Sequence, residues 1–166
     1  KTKKQSMEIY LCFLQHVIYS IKDGGKGAIV VPTGFLTAQS GIAQKIKQYL
    51  VDNRFLKGVI SMPSNIFANT GTNVSVVFID KTALTDNAVL IDASKLGETI
   101  KDGNNQKTVL NTDDINKIIE AFAENKAIDD FSVNVKYDEI KEKNYSLSAG
   151  QYFEIKIEYV ELTQEE

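Results

Sequence analysis

Three short apolar runs constrain the fold more than any other feature: GAIVVP (27–32), FLKGVISMP (55–63) and NVSVVFID (73–80). Each is bounded by Gly, Pro, Asn or Asp and has the length of a buried strand. The spacing between them decides how they can pair. Between the first two lies room for a helix, at about 41–53, with Ser40 as N-cap and Ile42, Ile46, Tyr49 and Leu50 on one face. Such a connection predicts a right-handed parallel crossover. Only eleven residues, without helical period, separate Met62 from Val74. That gap suits a hairpin, so the third strand is expected to run antiparallel to the second. A plain dinucleotide-binding sheet would continue parallel instead.

The flanking segments supply helices. From near Ser6, Ile9, Phe13, Val17 and Ile21 recur at fours, with Leu14 and Ile18 beside them. Cys12 within this pattern reads as a buried apolar thiol, and His16 as a helix-surface residue. KDGGKG then ends the helix. Its glycines follow a helix and precede a strand, the reverse of a phosphate loop, so they read as a C-terminal turn. AVLIDAS adds a short strand, and IKDGNNQKTVLNT reads as a loop. TDDINKIIEAFAEN predicts a helix capped by Thr112, with Ile115, Ile118, Ile119 and Phe122 facing inward. FSVNV is a brief strand and KYDEIKEKN a helical turn or two. EIKIEYVEL alternates and then slips phase at Val160, and has no assignment.

Composition narrows the chemistry. A chain of 166 residues, 43% hydrophobic and 25% charged, is ordinary for one globular domain and can hold a core without disulfides. One cysteine excludes an internal disulfide and fits a reducing compartment; one histidine leaves no set for a His/Cys zinc site. No apolar run approaches membrane-spanning length and no signal peptide opens the chain, so a soluble, cytoplasmic protein is expected. The net charge of −3 hides an asymmetry: residues 1–111 carry +5 and residues 112–166 carry −8. The first part could face a polyanion and the acidic end could not easily do so, but taken alone the asymmetry reads better as a solvated surface with an acidic end. Asp80 and Asp92, each closing a strand, read as turn residues. His16 has no partner for nucleophilic or acid–base catalysis. No catalytic, cofactor-binding or metal-ligating residue is assigned.

One residue is out of place. SNIFANTGTN is polar, yet holds the aromatic Phe67. It is either a lid tucked under the hairpin or a platform on which a nucleobase stacks, one aromatic face being worth about 1–3 kcal/mol to a base. Asn65, Asn69, Thr70 and Thr72 beside it carry donors and acceptors suited to a nucleotide.

The order FLQHVIYSIKDGGKGAIVVPTGFL, GVISMPSNIFANTGTNVSVVFIDK, VLIDAS and VKYDEIKEKNYSLSAGQY resembles the modification (M) subunit of type I restriction enzymes, an N6-adenine DNA methyltransferase family. The resemblance covers nearly the whole chain. It implies an α/β fold: the C-terminal half of an S-adenosylmethionine-dependent methyltransferase (Rossmann-like) sheet ending in an antiparallel hairpin, plus a mixed helical tail. Residues 1–100 are then the C-terminal half of the catalytic domain, and 101–166 a tail and subunit-docking region. The start at Lys1 fits a piece of a longer chain. The family's glycine-rich cofactor motif and its Asn/Asp-Pro-Pro-aromatic motif are expected upstream. This fragment is therefore expected to be inactive alone, though its parent methylates a flipped adenine with S-adenosyl-L-methionine. By resemblance, Phe67 stacks on that adenine with Asn65, Asn69 and Thr70 around it, while Pro32 and Gly34 shape the pocket. DNA, a specificity subunit and a restriction subunit are the implied partners, the acidic tail docking the specificity subunit. The alternative is a non-catalytic α/β module kept for subunit assembly.

Overall fold

A computed structural model describes residues 8–67, 71–103 and 105–154. In chain order these form α1 (Ile9–Ser20), β1 (Lys26–Pro32), α2 (Gly34–Thr37), α3 (Gly41–Asp52), β2 (Leu56–Ser61), β3 (Val74–Asp80) and β4 (Asn87–Asp92). Then follow β5 (Glu98–Asp102), β6 (Asn105–Val109), α4 (Thr112–Ala123), β7 (Ser132–Lys136), α5 (Tyr137–Glu142) and a 3₁₀ turn, Ala149–Gln151.

Five strands make one mixed sheet in the order β1-β3-β2-β4-β7. As the short connection requires, β3 runs antiparallel to β2, with Val59 opposite Val77. It also pairs antiparallel with β1, Ile29 opposite Val77. β1 and β2 thus run parallel without touching, because β3 lies between them. β4 lies parallel to β2, and β7 antiparallel to β4.

The strand period of two divides the apolar residues between two cores. Val31, Val59, Val77, Ile79, Ala88 and Leu90 pack under Leu14, Ile18, Ile46, Leu50 and Ile140 of α1, α3 and α5. On the other face, Ile60, Val89 and Ile91 pack under Ile118 and Ala121 of α4. The Phe78 and Phe122 rings meet there at 4.5 Å. Gly58 makes that approach possible: a Cβ on it would collide with the Val89 carbonyl oxygen and the Phe122 ring.

Several expectations are corrected. β1 is a half-covered edge rather than a buried strand, with Val30 45% exposed. α1 turns Leu11, Leu14 and Ile18 inward, leaving Ile9, Phe13 and Cys12 in solvent. The stripe of fours is rotated from the buried one, an easy error where a helix is apolar nearly all round. His16 is exposed, as expected. In α3 the inward face includes Gln44 and Lys47, while Tyr49 is half in solvent. The cap of α4 is Asn111, not Thr112: its side chain accepts from Asp114 N at 2.8 Å, and Asp114 reciprocates at 3.2 Å. On α4, Ile118 faces in, but Ile115 and Ile119 face out. IKDGNNQKTVLNT is no plain loop, since β5 and β6 pair within it and Asp102 stands opposite Asn105. Residues of EIKIEYVEL from Ile155 onward lie outside the described residues.

Lys47 is fully buried, its Nζ donating to the Leu36 carbonyl at 3.0 Å. The same carbonyl accepts from Leu147 N at 3.0 Å. One oxygen therefore ties α2, α3 and the C-terminal segment together.

Candidate functional site at the carboxyl ends of the strands

β1, β2 and β4 finish at one end of the sheet, and β3 begins there. In mixed and parallel sheets the crevice beyond the carboxyl ends is where ligands bind. Pro32 ends β1 opposite Val74. The next residue is fixed twice: Thr33 N donates to the Asn73 carbonyl at 3.0 Å, and the Thr33 and Ser75 hydroxyls meet at 3.0 Å. Met62 N donates to the Val74 carbonyl at 3.0 Å. These bonds hold the α2 turn and the 62–73 connection side by side.

Beside β1 this end opens into a cleft of about 360 Å³, lined among others by Tyr10, Pro32, Gly34, Phe35 and Gly41. Tyr10 and Phe35 meet edge to face at 6.3 Å. Burial, with Glu8 beside it, raises the Tyr10 hydroxyl above its ordinary pKa. Pro32 and Gly34 are among the residues that line this cleft. Tyr10 and Phe35 carry no signal of this in the sequence, where each looks like an ordinary core aromatic.

The connection itself leaves the sheet at Pro63, which is buried, and reaches Phe67, which is 48% exposed. Asn65 takes a left-handed conformation, φ 55°, which asparagine tolerates better than most residues. Its carbonyl accepts from Thr108 N of β6 at 3.0 Å. The Asn65 side-chain oxygen lies 3.6 Å from where a Cβ on Gly71 would stand, so it leans across the loop. Asn69 and Thr70 lie outside the described residues, and Thr72 is exposed. Phe67 is not among the residues lining the Pro32 cleft; the two features share a sheet end without a shared wall.

Both strand-end acids act as turn residues. Asp92 accepts from Ser94 N at 3.0 Å. Asp80, at the opposite end of the sheet, accepts from the Thr82 N–H and hydroxyl and faces Lys26 at 3.3 Å. Burial alone would raise the Asp80 carboxyl, but those bonds and the lysine outweigh it and hold it below its usual range. Among the described residues, no cluster of three or more His, Cys, Asp or Glu could hold a metal ion, and no helix is long and apolar enough to cross a membrane. Among the described residues, this end of the sheet offers an exposed aromatic face, peptide groups, hydroxyls and the Asp92 carboxylate.

Comparison with known proteins gives this geometry a context. The family model for N-6 DNA methylases matches residues 2–159. The type I restriction enzyme MpnII methylase subunit of Mycoplasma pneumoniae is 34% identical over 92% of this chain. The MjaIX methylase subunit of Methanocaldococcus jannaschii is 26% identical over 88% of it. The chain spans 27% of the length of each. The crystal structure of a type I restriction-modification methyltransferase subunit from Streptococcus thermophilus superposes with a TM-score of 0.77 at 30% identity, over 87% of this chain and 30% of that one.

Proposed function

Because the chain belongs to the N-6 DNA methylase family, we propose that it is the target-base side of a type I adenine-specific DNA methyltransferase subunit. In the parent enzyme, S-adenosylmethionine would supply a methyl group to the exocyclic amine of an adenine turned out of the duplex, the carbon–sulfur bond breaking to leave S-adenosylhomocysteine while the amine sheds a proton. This chain's part is to receive the base. Turning it out costs a few kcal/mol, and stacking on Phe67 returns about 1–3 kcal/mol. Asn65, Asn69 and Thr70 carry amide and hydroxyl groups suited to hydrogen-bonding the nucleotide.

The observation that carries this reading is Phe67 itself: a large aromatic half in solvent, on the connection that leaves the carboxyl end of β2. A lid residue would be buried beneath the strands it covers. The stacking role applies to a base brought to the loop, so the neighbouring cleft at Pro32 is left to shape the route rather than the stack.

The glycine-rich cofactor motif of the family does not occur in this sequence. A Cβ on Gly34 would meet nothing within 4 Å, so the backbone there stands open beside the cleft. The space beside Gly25 and Gly27 is filled by the Ile21 side chain. We assign binding of S-adenosylmethionine and activation of the amine to other parts of the parent, so the chain alone is expected to be inactive. Residues 101–166 form the docking region, with the acidic surface from residue 112 onward facing the specificity subunit. The restriction subunit joins that assembly, which acts in the cytoplasm.

The test is Phe67→Ala in the full-length methylase subunit assembled with its partners. Methylation is expected to fall about five- to 150-fold, the weight of one stacked base, with the thermal midpoint nearly unchanged. Equal methylation rates, or wholesale unfolding, would return Phe67 to the role of a lid.

A further inference from the structure

The β5–β6 hairpin stands apart from both cores. Its strands pair only with each other, and Ile100 and Val109 are 46% and 41% exposed. A lone two-stranded hairpin is marginal in water, so its anchorage matters. Of its side chains with described burial, only Thr108 is buried, at 5% exposure.

Thr108 pairs with Thr99 across the hairpin, at a position whose N–H points away from β5. That N–H is the one donated to the Asn65 carbonyl at 3.0 Å. Gly97, φ 83°, lets the hairpin close onto this point. A Cβ there would stand 2.8 Å from Thr108 Cγ2 and 2.9 Å from the Val109 carbonyl oxygen. The line of contact runs from Gly97 through Thr108 to Asn65, and two residues further along the chain is Phe67.

We propose that the β5–β6 hairpin positions the Phe67 loop through the Thr108–Asn65 bond, and so sets the chain's affinity for an extruded base without touching it. The proposal rests on the reading of Phe67 as a stacking platform. Thr108 and Gly97 are positioning residues. A loop tethered in place binds a base without first having to be ordered, which is how preorganisation raises affinity.

The sequence contains no tryptophan, so Phe67→Trp places a single fluorescent reporter on the loop. In that background of the 166-residue chain, Thr108→Pro deletes the donor N–H. Gly97→Ala disturbs the hairpin's base by a different route. Iodide quenching of the introduced indole without DNA reads the tether. Titration with a duplex carrying adenine opposite an abasic site reads the stack, and the thermal midpoint reads the sheet. Both variants are expected to raise iodide quenching and weaken the duplex roughly three- to ten-fold, the worth of one hydrogen bond. The midpoint should barely move, because the hairpin contributes nothing to either core.

Unchanged iodide quenching in both variants overturns the proposal. So does raised quenching with undiminished affinity for the duplex, which would make the hairpin merely structural. Lys101→Ala, near the hairpin tip, should leave both readings alone; a loss of affinity there without change in the indole signal would make the hairpin a direct DNA contact instead. If the reporter does not respond to the duplex with the hairpin intact, the platform reading fails. The DNA-free measurement still decides the tether.

Discussion

Replacing Lys47 with methionine should make the protein more stable at neutral pH, and the effect should fade as pH rises. The ammonium is fully buried and has one backbone partner, Leu36, at 3.0 Å. Burial lowers its pKa from 10.5 to about 8. In the unfolded chain the amine keeps its proton up to its ordinary pKa, whereas the folded chain releases it near 8. Between those values the unfolded state binds more protons, so the wild-type protein gains stability as pH increases. Below 8 both states are charged, and the folded state bears the full cost of the buried cation. At about 1.4 kcal/mol per pH unit that cost is about 3 kcal/mol. Methionine keeps an unbranched stem and removes the charge. The Leu36 carbonyl keeps its second donor, Leu147 N, at 3.0 Å. Urea unfolding of both proteins at pH 7 and pH 10 measures the effect. The advantage of Lys47→Met should shrink by about 2–3 kcal/mol between the two. Taking the difference between the proteins removes every other titrating group from the comparison. A difference that stays constant across this range would refute the reasoning, because the buried amine would then keep its proton throughout.

Three further substitutions probe the frame that holds the site. Gly58→Ala should destabilise the protein by about 1–3 kcal/mol, because the added methyl must displace either the Val89 carbonyl or the Phe122 ring; urea unfolding reads it, and a neutral result would mean that the α4 layer is loosely packed. Asn111→Ala should cost about 1 kcal/mol through loss of the reciprocal bonds with Asp114. Thr112→Ala, at the position that the sequence favours as cap, should cost less by thermal unfolding.

The outer-lying elements show what local patterns can and cannot convey. The β5–β6 hairpin has a legible signal, Gly103-Asn104 between residues of strand propensity, with Gly103 at φ 63° beside the last pair, Asp102 opposite Asn105. It is easily passed over because neither strand carries a continuous apolar run. Gln44 and Lys47 cannot be read as inward-facing from their types. Lys47 is buried because Leu36, eleven residues earlier, presents a carbonyl to it, and Gln44 bonds to Asn144, a hundred residues later. The exposure of Ile115 and Ile119 likewise depends on where α4 lands on the sheet.

The direction of β3 against β2 was settled by the chain itself. Eleven residues without helical period between Met62 and Val74 permit a hairpin and exclude a crossover, so β3 had to run antiparallel to β2. The order of motifs along the chain likewise carried its family, because order and residue type survive without coordinates. The tertiary structure decided the rest. It inserted β3 between β1 and β2, left one side of β1 half open, and tied Asn65 to Thr108 across 43 residues of sequence. It also set Phe67 half in solvent rather than under the sheet. Local pattern fixes period and reach, whereas burial and long-range hydrogen bonds depend on which distant segment arrives alongside.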